Sequence, residues 1–236
     1  MYARIQIALF ICLFTTGIST VSANDNSTWI PKVFFSLFGG VAGAPISGKI
    51  VDYETGKPIA GVSVFAHWDK TSWHGSIIGV VAAVEAITDE KGRYVLPEWG
   101  PLMSSVSDRD LMEYPQIHLF KFGYHPLTVR ERALVISGPR EIERMSLNSS
   151  WEGKTLELKS VKNQGHEYAK TVSSKMGDLD RVMLKKEGPC YWVHYPKTIS
   201  AFMTARREFE KNTLGTYLRK YLSDYDELSK RKCNKK

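Results

Sequence analysis

Residues 46–64 read ISGKIVDYETGKPIAGVSV, and residues 88–96 read TDEKGRYVL. Both stretches hold short alternating apolar runs separated by turn-forming residues, a pattern typical of β-strands joined by tight turns. Gly56 predicts a turn in the first stretch and Gly92 predicts one in the second, since glycine readily adopts positive φ. Asp89 is expected to hydrogen-bond forward onto the backbone of the second turn. The two stretches therefore predict two β-hairpins.

Similar short runs continue on the C-terminal side of these hairpins. Together they predict strands at residues 46–51, 59–66, 77–88, 93–96, 116–121, 126–132 and 141–147. Short strands separated by turn residues in this way favour a β-sandwich. We therefore predict a mainly β fold, with a seven-stranded sandwich over residues 46–148. Gly48 and Gly61 are expected to allow a close backbone approach or a bulge beside the first hairpin.

The two stretches, together with FGY at residues 122–124, resemble the carboxypeptidase regulatory-like domain family. Members of that family have a transthyretin-like, or prealbumin-like, fold. The resemblance implies a transthyretin-like β-sandwich that acts as a folding aid or recognition module. Every residue that carries the resemblance serves folding, so the resemblance implies no chemistry.

The chain departs from the family pattern at two insertions, residues 67–79 and 100–114. We expect both insertions to lengthen loops, and long loops on a rigid sandwich are where binding usually resides. The candidate binding residues in or beside these loops are His67, Trp68, Trp73, His74 and Trp99. Such loops suit a glycan or a peptide, because large aromatic rings offer wide contact surfaces. The alternative is that the rings pack on the ends of the sandwich core.

Residues 149–236 differ in character and form a mixed extension. Residues 152–160 favour one more extended segment, whereas residues 173–184 fit neither a helix nor a strand pattern clearly. Apolar side chains recur at three- and four-residue intervals across residues 199–209 and 214–228, which predicts amphipathic helices. The sequence therefore predicts a C-terminal α-helical extension that packs on the sandwich or on a partner.

The N-terminal residues have the features of an export signal. Arg4 precedes a short apolar stretch, and Val21 and Ala23 are small enough for signal-peptidase pockets. Residues 1–23 are therefore predicted to be a signal peptide that is cleaved before Asn24, with an uncleaved anchor as the alternative. Export excludes nucleic acid as a partner of this basic chain, whose net charge is +7.

A second apolar segment, residues 24–45, follows the signal. Its apolar run at residues 29–46 is interrupted by Lys32 and by glycines, which favours a buried or surface-associated segment over a membrane span. The basic tail at residues 230–236 is suited to anionic lipid. This segment and the tail together define an alternative in which the protein is held on a membrane.

Two cysteines remain once Cys12 is removed with the signal peptide. Cys190 and Cys233 are a candidate disulfide, because an exported chain meets an oxidising compartment. Two free thiols are the alternative.

Catalytic motifs are absent from the sequence. No histidine stands in the H-x-x-E arrangement of a zinc carboxypeptidase, and there is neither a G-x-S-x-G elbow nor a glycine-rich phosphate loop. We therefore predict no catalytic residues, no metal ligands and no cofactor. A metal-dependent hydrolase that uses His67 and His74 is the alternative from a different class.

The predicted function is a non-catalytic binding or interaction module that is exported to the cell envelope, in the periplasm or outside the cell. Its expected partners are an envelope protein, a glycan or an anionic lipid.

Overall fold

The computed structural model describes residues 41–72, 74, 76–102, 110–112, 115–130, 151–162 and 164–211. All of them belong to one compact unit of the chain. The predicted signal peptide, the strand predicted at residues 141–147, the helix predicted at residues 214–228 and the basic tail lie outside the described residues.

The described chain is mainly β and has helices in its C-terminal part, as the sequence predicts. The strands are β1 (Val41–Gly43), β2 (Ile46–Asp52), β3 (Ser63–Ser72), β4 (Ile77–Ile87), β5 (Arg93–Leu96), β6 (Trp99–Leu102), β7 (Asp110–Met112), β8 (Gln116–Phe120), β9 (Leu127–Arg130) and β10 (Lys154–Leu158). The helices are α1 (His166–Glu187), a 3₁₀ helix (Gly188–Val193) and α2 (Pro196–Lys211).

The strands form three sheets. One sheet has the order β10-β2-β5, a second has the order β4-β3-β8-β9 with β7 also paired to β3, and β1 pairs with β6. β10 is parallel to β2, whereas the other pairs are antiparallel. The sheet structure therefore extends past both predicted limits of the β domain, residues 46 and 148. The predicted count of seven strands is not confirmed, since ten are described.

The predicted turns are confirmed. Gly56 and Gly92 have φ of 66° and 71°. Asp89 Oδ1 accepts hydrogen bonds from the backbone N–H groups of Lys91 (2.9 Å) and Arg93 (2.8 Å). Gly48 is also a point of close approach, because an added Cβ would lie 2.9 Å from the carbonyl oxygen of Lys154 on the parallel strand β10.

The predicted long loop at residues 67–79 is wrong. β3 continues to Ser72 and β4 begins at Ile77, so most of this stretch is a hairpin. The cross-strand pairing from Ser63 to Thr71 absorbs two irregularities without ending. The insertion relative to the family pattern therefore lengthens two strands, and His67 and Asp69 in it find hydrogen-bond partners on the neighbouring strand β8. Trp99 also lies in a strand, β6, and not in a loop.

Two hydrophobic clusters lie on opposite sides of β3, because successive side chains of a strand point to opposite faces. Val64, Ala66 and Trp68 belong to the first cluster, which also takes residues from β2, β5 and β10. Phe65 belongs to the second cluster, together with Phe120 and the buried faces of the helices. The second sheet therefore has a face toward the first sheet and a face toward the helices, which are called here the sheet-facing and helix-facing sides.

The helices cover the helix-facing side. α2 confirms the helix predicted at residues 199–209 and buries Ile199, Phe202 and Phe209. The stretch 173–184, which the sequence left undecided, is part of α1. Neither described helix combines the length and apolar character needed to cross a bilayer.

Candidate functional site

Four buried polar side chains lie together on the helix-facing side, and they are called here the polar cluster. They are His67 and Asp69 of β3 and Gln116 and His118 of β8. The antiparallel register pairs His67 with Gln116 and Phe65 with His118, which places the four polar side chains on one face. The register of β3 and β8 therefore places these polar side chains next to the apolar side chains that pack against the helices.

The polar cluster is connected by short hydrogen bonds. His67 Nδ1 lies 3.1 Å from Asp69 Oδ1, and His67 Nε2 lies 3.0 Å from His118 Nε2. Gln116 Nε2 donates to Asp69 Oδ2 at 2.9 Å. The two imidazole rings are stacked, with centroids 5.1 Å apart and planes 12° from parallel.

The connections continue to the helix. His118 Nδ1 lies 3.1 Å from Thr128 Oγ1 on β9, and Lys175 Nζ of α1 donates to the same oxygen at 2.6 Å. The hydroxyl of Thr128 can therefore donate to His118, since it already accepts from an ammonium group that has no lone pair.

If both histidines are neutral, these contacts determine their tautomers, and the assignment follows from the network. His67 must carry its proton on Nδ1 to donate to the carboxylate of Asp69. Its Nε2 is then an acceptor, so His118 carries its proton on Nε2 and accepts on Nδ1. The result is one continuous chain of donors from Lys175 to Asp69.

Burial and positive neighbours keep His118 neutral. Burial is the main cause that lowers its pKa, to about 2, and positive charge on Lys175 and Arg130, and on His67 when that ring is protonated, lowers it further. The pKa of Lys175 is also lowered, first by burial and then by Arg130, while Asp178 acts in the opposite direction. The region around His118 is thus a place where positive charge is in excess.

A pocket of about 260 Å³ opens beside the polar cluster, between the sheet and α1. It is called here the sheet–helix pocket. The polar cluster forms its floor, and Ile77 and Val80 form part of one wall. Its charged rim consists of Arg130, Lys175, Asp178, Arg181 and Lys185.

The structure separates the predicted site residues. His67 is in the polar cluster, whereas Trp68 is on the opposite side of β3 and packs against Trp99 with ring centroids 5.1 Å apart. Both indoles are buried, in agreement with the packing alternative and not with an exposed loop. His74 is exposed in the turn between β3 and β4, and Trp73 lies outside the described residues. Binding through these residues stays a prediction.

Two further predictions concern metal ligands and a disulfide. In the described part of the chain, no group of three or more His, Cys, Asp and Glu side chains is arranged to hold a metal ion. Both ring nitrogens of His67 are engaged within the polar cluster. Cys190 is disulfide-bonded. Cys233 lies outside the described residues, so the pairing of these two cysteines stays a prediction.

The sequence analysis missed Asp69, Gln116, His118 and Lys175. A signal for the first three was present, because His67 with Asp69 and Gln116 with His118 both have the i, i+2 spacing of a single strand face. Two polar pairs of this kind in otherwise apolar strands indicate a polar stripe. Lys175 had no comparable signal, since nothing local to the helix marks the lysine that meets Thr128.

No family model and no curated protein matches the chain. Among solved structures it is similar to 3-chlorocatechol 1,2-dioxygenase from Rhodococcus opacus 1CP, with a TM-score of 0.29 and 14% identity over 52% of this chain and 61% of that chain. It is also similar to a 9R-lipoxygenase from Cyanothece PCC8801, with a TM-score of 0.26 and 14% identity over 58% of this chain and 22% of that chain. Similarities at this level carry no argument about activity.

Proposed function

We propose that this chain is a non-catalytic, exported binding module of the cell envelope, built on a seven-stranded transthyretin-like sandwich. In this proposal β2, β5 and β10 form one layer, and β3, β4, β8 and β9 form the other. The first hydrophobic cluster supports this arrangement, because it takes buried residues from both sheets. β1, β6 and β7 are then additions to the family pattern.

The sheet–helix pocket is the observation that carries the binding role. Packing alone would place apolar side chains between the sheet and α1, as it does around Phe65 and Phe120. Instead, buried and mutually hydrogen-bonded polar groups on rigid strands form the floor of an open cavity. A concave site with a few fixed polar groups is the usual form of a ligand site.

The state of the two histidines supports a role without catalysis. All four ring nitrogens of His67 and His118 are engaged by Asp69, Thr128 or each other. The pKa of His118, lowered by burial to about 2, prevents it from taking up a proton near neutral pH. The polar cluster therefore offers fixed geometry to a ligand, and His118 is a poor general base near neutral pH.

The proposal can be tested by site-specific photo-crosslinking in cells that express the full gene. A photoreactive amino acid replaces Ile77, which lines the pocket and is exposed. In a matched control it replaces Val95, an exposed strand residue that does not line the pocket. We expect the exported fraction to contain a chain that starts at Asn24, with an adduct at position 77 and none at position 95.

Two results would contradict the proposal. A chain that stays in the cytosolic fraction with residues 1–23 intact would contradict export. Equal adduct formation at the two positions, or none at either, would contradict binding at the sheet–helix pocket.

A further inference from the structure

The charges around the sheet–helix pocket are unequally compensated. Asp178 is 3.2 Å from Arg181, so these two rim charges form an ion pair. Among the described residues, neither Arg130 nor Lys185 has a carboxylate within ion-pair distance. Lys175 donates to Thr128, a neutral group, and has further N–H donors. The rim therefore has two cations without a described anionic partner, Arg130 and Lys185, and a third, Lys175, whose nearby carboxylate Asp178 is already paired with Arg181.

The floor of the pocket does not supply the missing negative charge. Asp69 is the only carboxylate of the polar cluster that forms the floor. Its two oxygens accept hydrogen bonds from His67 and Gln116. The uncompensated charge that faces the pocket is consequently positive.

The partly buried position of Lys175 strengthens its attraction for an anion. Lys175 is half-buried, and its lowered pKa shows that water compensates its charge only in part. Coulombic attraction grows as the surroundings become less water-like, so an anion beside Lys175 is held more firmly than one on an open surface. Such an anion would also remove the mutual repulsion of Lys175 and Arg130.

We propose that the sheet–helix pocket binds a phosphate group, held by Arg130 and Lys175, with Lys185 adding positive charge about 15 Å further along α1. The planar fork of an arginine suits two phosphate oxygens, and a lysine acts as a point charge on a third. The volume of about 260 Å³ suits one small group, since it is below the roughly 300–1,000 Å³ typical of drug-sized ligands. This inference rests on the proposed binding role of the same pocket and specifies its ligand.

The first experiment titrates inorganic phosphate into the mature chain by calorimetry, at constant ionic strength set with chloride. We expect saturable binding that weakens by about tenfold in Lys175→Gln and in Arg130→Gln, because each substitution removes a charged hydrogen-bond donor. The matched controls are Lys170→Gln, on an exposed part of α1, and Arg207→Gln, on an exposed part of α2, and both should bind like the wild type.

A second experiment distinguishes free phosphate from a lipid headgroup. Sedimentation with phosphatidylcholine vesicles, with and without phosphatidic acid, is measured for the same variants. Binding of inorganic phosphate that is lost in the pocket variants supports a soluble phosphate compound as the source. Binding only to vesicles with phosphatidic acid, weakened in the same variants, supports a lipid headgroup.

Absence of binding in both experiments overturns the inference. So does binding that the pocket variants leave unchanged, because the anion would then be bound elsewhere. Arg130 is exposed, so Arg130→Gln keeps the test valid if Lys175→Gln disturbs the fold. A crosslinked adduct at position 77 without phosphate binding would leave the proposed binding role intact and reject only the ligand.

Discussion

The two faces of β3 are both buried, yet they are built from different chemistry. The sheet-facing side presents Val64, Ala66 and Trp68, which pack in an apolar cluster. The helix-facing side begins with Ser63, which meets Thr198 of α2, and the apolar Phe65, and it continues with His67 and Asp69. One side of β3 thus packs in an apolar core. On the other side, apolar packing gives way to the polar cluster within a few residues.

The two sides of β3 are expected to contribute differently to the stability of the fold. Burial of apolar area contributes about 25 cal/mol per Å², so the sheet-facing side is a large source of stability. A buried hydrogen bond contributes a net of only about 0.5–1.5 kcal/mol, because folding replaces bonds to water. A polar cluster is therefore a weak way to stabilise a sheet, and its presence beside a pocket supports the proposed binding role.

The largest expected effect on stability comes from a substitution on the sheet-facing side. Trp68→Ala removes a buried indole that packs against Trp99 in the first cluster, and we expect the free energy of unfolding to fall by about 3–5 kcal/mol. Denaturant unfolding measures this change. Tyr53→Ala is the matched control, because that ring is 61% exposed and should cost little. A loss below 1 kcal/mol for Trp68→Ala would contradict the assignment of this residue to the core.

The next effect concerns the helix-facing side and depends on pH. The pKa of His118 is lowered from 6.5 to about 2, so the unfolded chain binds a proton between these values while the folded chain does not. Stability is therefore fully present above about pH 6.5 and is lost as the pH falls. A shift of this size corresponds to a loss of about 2 kcal/mol between pH 7 and pH 5.

Unfolding of the wild type and of His118→Gln at the two pH values measures this contribution. The variant should lose about 2 kcal/mol less than the wild type over the interval, because it lacks the titrating ring. Asp52 and Asp89 do not interfere, since their lowered pKa values affect stability only in more acidic solution. Equal pH dependence of the two proteins would show that His118 is not held neutral.

Features that depend on contacts between residues close in the sequence could be predicted, whereas features that depend on distant contacts could not. The turn at Gly92 and the strand at residues 93–96 were predictable, because Asp89 and Gly92 form the turn through contacts only a few residues apart. The turn at Gly56 follows the same rule. Local chemistry specifies a hairpin before any tertiary contact exists.

The polar cluster depends on distant contacts and was not predicted. His67 meets His118 across 51 positions of the sequence, and Asp69 meets Gln116 across 47. Only the register of β3 against β8 brings them together, and a shift of one residue would point them to the other face. The interpretation of residues 67–79 as a loop rested on their absence from the family pattern, which cannot show that their partners lie on another strand.

The helix α1 was undecided although its signal was local. Its buried face carries large apolar residues at three- and four-residue intervals, namely Tyr168, Val172, Met176, Leu179 and Met183. The interpretation considered residues 173–184 alone, and this window holds only part of the stripe. The extended segment predicted at residues 152–160 contains β10, but its parallel pairing with β2 has no local signal.

The smallest expected effect tests how the helices are attached to the helix-facing side. Glu85 of β4 is paired with Phe65, and its carboxylate accepts hydrogen bonds from the backbone N–H groups of Lys197 (2.9 Å) and Thr198 (2.8 Å). These groups belong to the first turn of α2, where the helix has unsatisfied donors and a partial positive charge. A side chain of the sheet thus caps a helix distant in sequence.

Glu85→Gln keeps the shape of the side chain but removes its charge and one acceptor oxygen. We expect the free energy of unfolding to fall by about 1 kcal/mol, the usual contribution of a helix cap. Hydrogen exchange should also increase in the first turn of α2 but not in β2, which lies on the other side of the first cluster. Glu90→Gln, at an exposed turn, is the control. If both variants lose equal stability, α2 is held by its apolar contacts alone, and the helix-facing side is secured entirely by the cluster around Phe65.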